Sequence, residues 1–209
     1  NHLLVSLGSS PLSNSYLPKE RLCRMEPFYP LDVYVCNNCF LAQLQEFESP
    51  ENIFSDYAYF SSYSETYLKH ARDYVSKMTA LFGIGKKSHV VEIASNDGYL
   101  LQYFIEKRVP VLGIEPAANV AEIAKQKGIP TEAIFFGVKT AQRLAAEGKH
   151  ADLLLGNNVL AHVPDLNDFV AGLKILLKPH GVITMEFPHL MRLMEETQFD
   201  TIYHEHFSY

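Results

Sequence analysis

No run of about 18 consecutive apolar residues, the least that a membrane-crossing helix needs, occurs in the 209-residue sequence. Its beginning also lacks a basic segment followed by an apolar one, so no secretory signal is read there. A cytoplasmic setting without a membrane partner is expected. Cysteine is scarce: three residues, an odd number, do not make a disulfide framework and point to reducing surroundings. Positive charge is in deficit, with 18 Lys and Arg against 24 Asp and Glu for a formal net charge of −6. That balance argues against nucleic acid as a partner, because neutralising phosphates requires a basic face. There is no internal repeat and no low-complexity tract. The sequence starts at Asn1 rather than Met, and Tyr209 lies in a polar-aromatic run without a stop signal; a piece of a longer protein is expected.

What is present is ordinary globular material, 47% hydrophobic and 20% charged. The length holds one domain of about 130 to 150 residues and a smaller attachment. Residues 1–50 contain Pro11, Pro18, Pro27, Pro30 and Pro50 with short apolar bursts such as Leu31 to Val35, which predicts a small loop-rich module with brief strands. Residues 51–85 form a helical lid and connection: Tyr67, Ala71, Tyr74, Val75, Met78 and Leu81 recur at helical spacing, and Gly83 and Gly85 end the helix. From residue 86 to 209, strands at His89–Ala94, Val111–Glu115, Thr131–Phe136, Ala151–Gly156 and Gly181–Phe187 alternate with helices at Tyr99–Lys107, Val120–Gln126, Thr140–Glu147 and Leu166–Leu177. Alternation of this kind predicts an α/β fold, a doubly wound and mainly parallel Rossmann-like sheet.

Glu92-Ile-Ala-Ser-Asn-Asp-Gly98 follows the first of these strands and opens the first helix. Ligands of open α/β sheets bind at that end of a strand. The loop is not the dinucleotide fingerprint, since Ala94 and Asn96 stand at the first two glycine positions. Ala94, Ser95, Asn96, Asp97 and Gly98 still let a ligand approach the backbone closely, because Ala is small and Asn and Gly tolerate left-handed backbone. Glu92 would repel phosphates but suits a cation. S-adenosylmethionine carries an ammonium and a sulfonium and no phosphate, which makes it the expected cofactor. Glu115, followed by Pro116, ends the second strand where an acid can accept both ribose hydroxyls. Asn157 and Asn158, in Gly156-Asn-Asn-Val-Leu-Ala-His162, follow the fourth strand beside the same crevice. The blander alternatives are an Asp-Gly turn, solvated strand ends and an Asn turn.

Tyr203-His-Glu-His206, with Phe207, Ser208 and Tyr209, gathers two imidazoles, a carboxylate and two phenols. A carbon or hydroxyl nucleophile needs a base with a pKa near the working pH, and His is the usual one. In an extended segment His204 and His206 share a face and Glu205 takes the other. Catalysis or substrate binding, a metal pair and a surface loop remain open there. Tyr57-Ala-Tyr59-Phe-Ser-Ser-Tyr63 is a second cluster, either core or lid. Cys36-Asn-Asn-Cys39 has the spacing of half a zinc site, which normally takes four ligands; Cys23 and His2 are weak further candidates.

Taken in order, Gly8-Ser-Ser-Pro-Leu-Ser-Asn14, Tyr29-Pro-Leu31, Cys36-x-x-Cys39, Gln43-Leu44, Tyr57-x-Tyr59-x-Ser-Ser62, the loop Glu92 to Gly98 and Tyr203-His-Glu-His206 resemble the sugar C-methyltransferases of deoxysugar pathways over essentially the whole chain. The resemblance implies a class I methyltransferase domain with an N-terminal zinc-binding module. By this comparison the first Cys-x-x-Cys and the family's C-terminal domain are missing, so zinc belongs to the full-length protein. It also implies methylation at C3 of a nucleotide-linked 4-keto-6-deoxy sugar by base-assisted enolate formation, with His206 as base and Glu205, Tyr203, His162, Tyr59 and Tyr57 near the sugar. A monomer or weak homo-oligomer is expected. Two alternatives stand beside this reading: an O- or N-methyltransferase of the same fold acting on a small molecule, and a non-catalytic zinc-module protein that binds a ligand or partner.

Overall fold

Near the start of the chain, the alternation Leu31-Asp32-Val33-Tyr34-Val35 turns Leu31 and Val33 inward and Asp32 and Tyr34 outward, the period-two pattern of a half-buried strand. In the computed structural model, which describes residues 1–55 and 57–209, this strand is the middle of an antiparallel three-stranded sheet, β1 (His2–Ser10), β2 (Tyr29–Val35) and β3 (Ala42–Leu44). The β1–β2 register shifts between Ser6 and Ser9, where Gly8 takes a φ of 80°, so the strand bulges at a residue that tolerates it.

Leu31, Val33, Ala42 and Leu44 pack with Leu193 and Ile202, and Val5, Leu7, Val35, Leu190 and Tyr209 pack against them. The end of the chain thus completes the core of the module formed at its beginning. Backbone bonds add to this: Leu44 N–H donates to the Phe207 carbonyl at 3.1 Å, and Tyr209 N–H to the Ala42 carbonyl at 2.9 Å. One compact unit comprises Asn1–Ile53, Asn158–Pro164 and Glu186–Tyr209, the other Phe54–Asn157 and Asp165–Met185. Residues 158–164 and 186–209 therefore group with the N-terminal module in one compact unit. The cause is long-range apolar packing, to which local periodicity is blind.

After a short helix α1 (Pro50–Phe54), the first long helix of the second unit is α2 (Glu65–Phe82). Ser64 caps α2 by accepting the Tyr67 N–H at 3.2 Å, and Gly83 closes it in left-handed backbone at φ 63°. Ala71, Val75 and Met78 are buried along its predicted face, whereas Leu81, on the same stripe, is exposed. Then follow β4 (Val90–Ile93), α3 (Leu101–Glu106), β5 (Val111–Ile114), α4 (Ala118–Gln126), β6 (Thr131–Glu132), α5 (Val138–Ala146), β7 (Ala151–Asn157), α6 (Leu166–Leu176) and β8 (Leu177–Glu186).

The sheet order is β6-β5-β4-β7-β8, and the β4–β5, β4–β7 and β5–β6 pairs are parallel. The doubly wound α/β sheet expected from the alternation is therefore present. The order reverses at β4, and in open α/β sheets the carboxyl ends of the strands at such a switch point are where the ligand crevice lies. Two boundaries differ from the sequence reading. β6 is two residues long, because only Thr131 and Glu132 find partners on β5 before the Phe135 carbonyl turns to accept the Thr140 hydroxyl. β8 starts at Leu177 because Pro179 ends helical backbone just before itself. Among the described residues no helix is long and apolar enough to cross a membrane.

Candidate functional site

Within the second unit, the loop after β4 takes left-handed backbone at every second residue, with φ of 55° at Ala94, 49° at Asn96 and 78° at Gly98. A Cβ on Gly98 would run into the Ile129 side chain, and one on Gly113 in β5 into the Ser95 hydroxyl. Glycine at both places is therefore what lets the loop lie against its neighbours. Glu115 shapes the loop as well: its Oε2 accepts the Asn96 N–H and its Oε1 the Ala117 N–H, each at 2.9 Å. Burial pushes its pKa up to about 7, against the pull of these two N–H groups. Each oxygen keeps a second lone pair, so the predicted bonds to ribose hydroxyls remain stereochemically available. Pro116 is half-buried beside it.

Glu92 is fully buried, and neither carboxylate oxygen has a hydrogen-bond partner of ordinary geometry. Burial, and then the charge of Glu115, push its pKa well up; the Tyr99 hydroxyl pulls the other way and Asp97 adds to the rise. A buried carboxylate without donors is costly, and a cation in the crevice would offset that cost. Tyr99 stacks on Tyr67 of α2 with centroids 4.9 Å apart, and their hydroxyls lie 3.3 Å apart. Asn157, buried at the end of β7, donates its Nδ2 to the Tyr99 hydroxyl at 3.4 Å. The ends of β4 and β7 and the starts of α2 and α3 thus share one buried polar cluster. Asn158 is different: it is exposed, has left-handed backbone at φ 53°, belongs to the other unit and donates its N–H to the Glu186 carbonyl at 2.7 Å.

The side chains of Asn96 and Asp97 turn towards the segment before α2. Asn96 accepts the Ser61 N–H at 2.8 Å and donates to the Tyr59 carbonyl at 3.1 Å. The Ser62 hydroxyl donates to Asp97 Oδ2, which also accepts from Lys127 Nζ at 2.8 Å. Asn119 brackets Tyr57, accepting its N–H at 3.2 Å and donating to its carbonyl at 2.9 Å. Residues 57–62 are thus a strap tied to the loop and to α4. Tyr59, half-exposed, and Tyr57, partly so, lie on the strap rather than in the core.

In the first unit, Tyr203-His-Glu-His206 is a tight turn closed by the His206 N–H on the Tyr203 carbonyl at 3.0 Å. The extended geometry expected for it is therefore replaced, and the two imidazoles part. His204 is buried with Nε2 3.0 Å from the Pro30 carbonyl and edge-on contacts to Tyr29 and Phe47. His206 meets Tyr203 at a centroid distance of 4.2 Å, His162 edge-on at 4.7 Å and Tyr209 at 5.8 Å. His206 Nδ1 lies 2.9 Å from the Thr201 carbonyl, which can only accept, so Nδ1 carries the proton and Nε2 is the basic nitrogen.

Burial holds the His206 pKa below its ordinary value, opposed by the bond to Thr201, and takes His162 down to about 3, helped by His206. Both imidazoles are neutral at pH 7. The Tyr203 phenol is pushed up to about 12 by burial and then by the charge of Glu205, so it stays a donor. Glu205 is buried and accepts from Asn14 Nδ2 at 2.8 Å.

Cys36 and Cys39 bracket a turn in which the Phe40 N–H donates to the Cys36 carbonyl at 3.1 Å and the Asn38 N–H meets Cys36 Sγ at 3.4 Å. The backbone N–H groups of Cys39 and then Asn38 lower the Cys36 thiol pKa, which favours the thiolate that zinc takes. Two thiolates at this spacing would supply half of a tetrahedral zinc site. Among the described residues no group of three or more His, Cys, Asp or Glu is placed to hold a metal.

Sequence reading missed Tyr67, Tyr99, Asn119 and Lys127. Tyr99, next to Gly98 at the mouth of α3, carried a positional signal. Lys127, at the end of α4, carried none, since a lysine there is ordinary.

Residues 64–209 match the family described as "Methyltransferase domain" and residues 1–54 the one described as "Putative zinc binding domain". The chain is 35% identical over 206 residues to the C-methyltransferase NovU of Streptomyces niveus, covering 99% of this chain and 49% of NovU. It therefore spans about half the length of that relative. Among solved structures, the PH0226 protein of Pyrococcus horikoshii OT3 superposes with a TM-score of 0.55 at 17% identity, covering 73% of this chain and 72% of that one. An S-adenosylmethionine-dependent methyltransferase of Clostridium acetobutylicum does so with a TM-score of 0.51 at 14% identity, covering 62% and 54%. These two likenesses establish the fold.

Proposed function

Because this chain belongs to the methyltransferase-domain family, we propose that it is an S-adenosylmethionine-dependent C-methyltransferase acting on a nucleotide-linked 4-keto-6-deoxy sugar at C3. NovU's name as a C-methyltransferase supports transfer to carbon, and the ordered motifs through Tyr203-His-Glu-His206 support the sugar. For the cofactor, the donor set of the second unit fits. The orphaned Glu92 carboxylate suits a positive charge, Glu115 suits the ribose, the backbone of Ala94, Ser95 and Gly98 allows close approach, and Asn157 and Pro116 border the crevice. When bound, S-adenosylmethionine supplies an electrophilic methyl group.

Protein side chains supply the rest. His206, neutral and with Nε2 as its basic nitrogen, removes the proton next to the ketone. Imidazole is too weak a base for an unassisted ketone, so the oxygen that gains negative charge needs a donor. Tyr203, kept protonated, is that donor, with neutral His162 beside His206. Glu205 accepts from a sugar hydroxyl, and the motif resemblance assigns Tyr57 and Tyr59 to the sugar as well. The single observation that carries this reading is the bond from His206 Nδ1 to the Thr201 carbonyl, which fixes the tautomer a general base requires.

The test is solvent exchange. The full natural protein incubated with the ketosugar nucleotide in deuterated water should exchange the C3 proton. His206→Asn should lower exchange and turnover by about a hundredfold or more and leave S-adenosylmethionine binding intact. Methylation of oxygen or nitrogen without exchange would replace the carbon reading with its first alternative. Absence of S-adenosylmethionine binding would leave the non-catalytic one.

A further inference from the structure

The first unit contains a contact for which the sequence motifs gave no role. Asn14 closes the Gly8-Ser-Ser-Pro-Leu-Ser-Asn14 segment, and 191 positions separate it from its hydrogen-bond partner, Glu205. We infer that Asn14 is a positioning residue of the reaction centre, its side-chain amide holding the Glu205 carboxylate in its working orientation; this rests on the proposed carbon methylation.

Three observations support it. Asn14 has left-handed backbone at φ 57°, a conformation that asparagine, aspartate and glycine adopt at little cost and most residues do not. Its Nδ2 donates to Glu205 Oε1 at 2.8 Å, the length of a good charge-assisted bond. Glu205 is 1% exposed, so the amide replaces water that the carboxylate has lost. The chemistry of the donor matters. A lysine or arginine at this place would stabilise the carboxylate by neutralising it. An amide stabilises the charged form and leaves its net charge in place. That charge, after burial, raises the pKa of the neighbouring Tyr203 phenol and lets Glu205 accept from a substrate hydroxyl. The loop between β1 and β2 thereby becomes part of the reaction centre rather than an appendage to it.

Two substitutions separate positioning from mere structure, since both keep the left-handed backbone accessible. Asn14→Gly removes the amide. Asn14→Asp keeps its shape and replaces the donor with a like charge. Both would be placed in the full natural protein, with glutamate labelled with carbon-13 at the side-chain carboxyl and the Glu205 signal assigned by its loss in Glu205→Gln. In Asn14→Asp the Glu205 signal should titrate at clearly higher pH and kcat should fall tenfold or more. In Asn14→Gly the fall should be about three- to tenfold. Affinity for S-adenosylmethionine should stay within twofold in both. A Glu205 titration unmoved by Asn14→Asp overturns the inference whatever the reaction proves to be. A Glu205 signal that moves in a protein whose wild type does not methylate carbon keeps the contact and overturns the reaction. Equal losses of melting temperature and unchanged kcat per folded molecule reduce Asn14 to a structural role and also overturn the inference.

Discussion

Glu92 is buried, charge-capable and without hydrogen-bond donors of ordinary geometry, a combination stable only while the carboxyl is neutral or a cation is beside it. Arrival of a cationic ligand should therefore expel a proton. S-adenosylmethionine affinity should rise with pH as long as Glu92 is protonated in the free protein, and calorimetry in buffers of different ionisation enthalpy should record proton release. Glu92→Gln should weaken binding about ten- to hundredfold, roughly 1.4 to 3 kcal/mol, and abolish the release. Binding without proton release in the wild type would refute this role. The sequence reading found the strand and the loop because both are local patterns, and it put Glu92 at the head of the loop, whereas Glu92 lies within β4, paired with Gly113. Its orphaned state was invisible in the sequence, since that depends on Tyr99, Asn157 and Glu115 converging from other elements. His204 makes the same point. Its spacing from His206 was plain, but the direction of its ring is set by the turn at residues 203–206 and by Pro30, Tyr29 and Phe47.

Among the elements, the strap at residues 57–62 is held by side chains from two others, Asn96 and Asp97 on the β4–α3 loop and Asn119 and Lys127 in and just after α4. Lys127 is 37% exposed in its side chain and Asp97 1%, so the pair is half wet, and removing the lysine leaves the aspartate buried against the Ser62 hydroxyl without its cation. Lys127→Ala should speed amide hydrogen exchange across residues 59–62 by tenfold or more and leave exchange in β4 and β7 unchanged. Uniform acceleration across the unit would instead mean general destabilisation. Helices and buried strands were legible because their periods are local. The strap was not, because polar residues tie it down and polar residues have no period. β6 was overestimated for a related reason. The run from Thr131 to Phe136 reads as a strand, yet β5 offers partners to its first two residues.

For the molecule as a whole, the two units carry buried groups with opposite pH signatures. In the first, the His162 pKa is lowered to about 3 from 6.5; native protein binds fewer protons than unfolded, so stability present above pH 6.5 is lost as pH falls towards 3. In the second, the Glu115 pKa is raised to about 7 from 4.5, and Glu92 is raised in the same direction. Native protein then binds more protons, so stability present below pH 4.5 is lost as pH rises towards 7, by of order 1 kcal/mol per pH unit for each such group. In the ligand-free protein, hydrogen exchange should show the first unit loosening towards pH 5 and the second towards pH 7.5. The same trend in both units would contradict these assignments. Fold class was readable at this scale because alternating strands and helices admit few topologies. Membership of the units was not, because Leu193 and Ile202 choose their partners across most of the chain.

That choice sets a timetable for synthesis. Leu193, which packs on Leu31, Val33, Ala42 and Leu44, emerges from the ribosome about 150 residues after them, some 8 to 30 s at ordinary elongation rates of about 5 to 20 residues per second. For that interval the nascent module carries an uncovered apolar face while Phe54–Asn157 is already available to fold. The module is thus completed only after the residues that follow it have been made, and a pause, a nick or loss of residues 186–209 would leave its apolar side facing solvent.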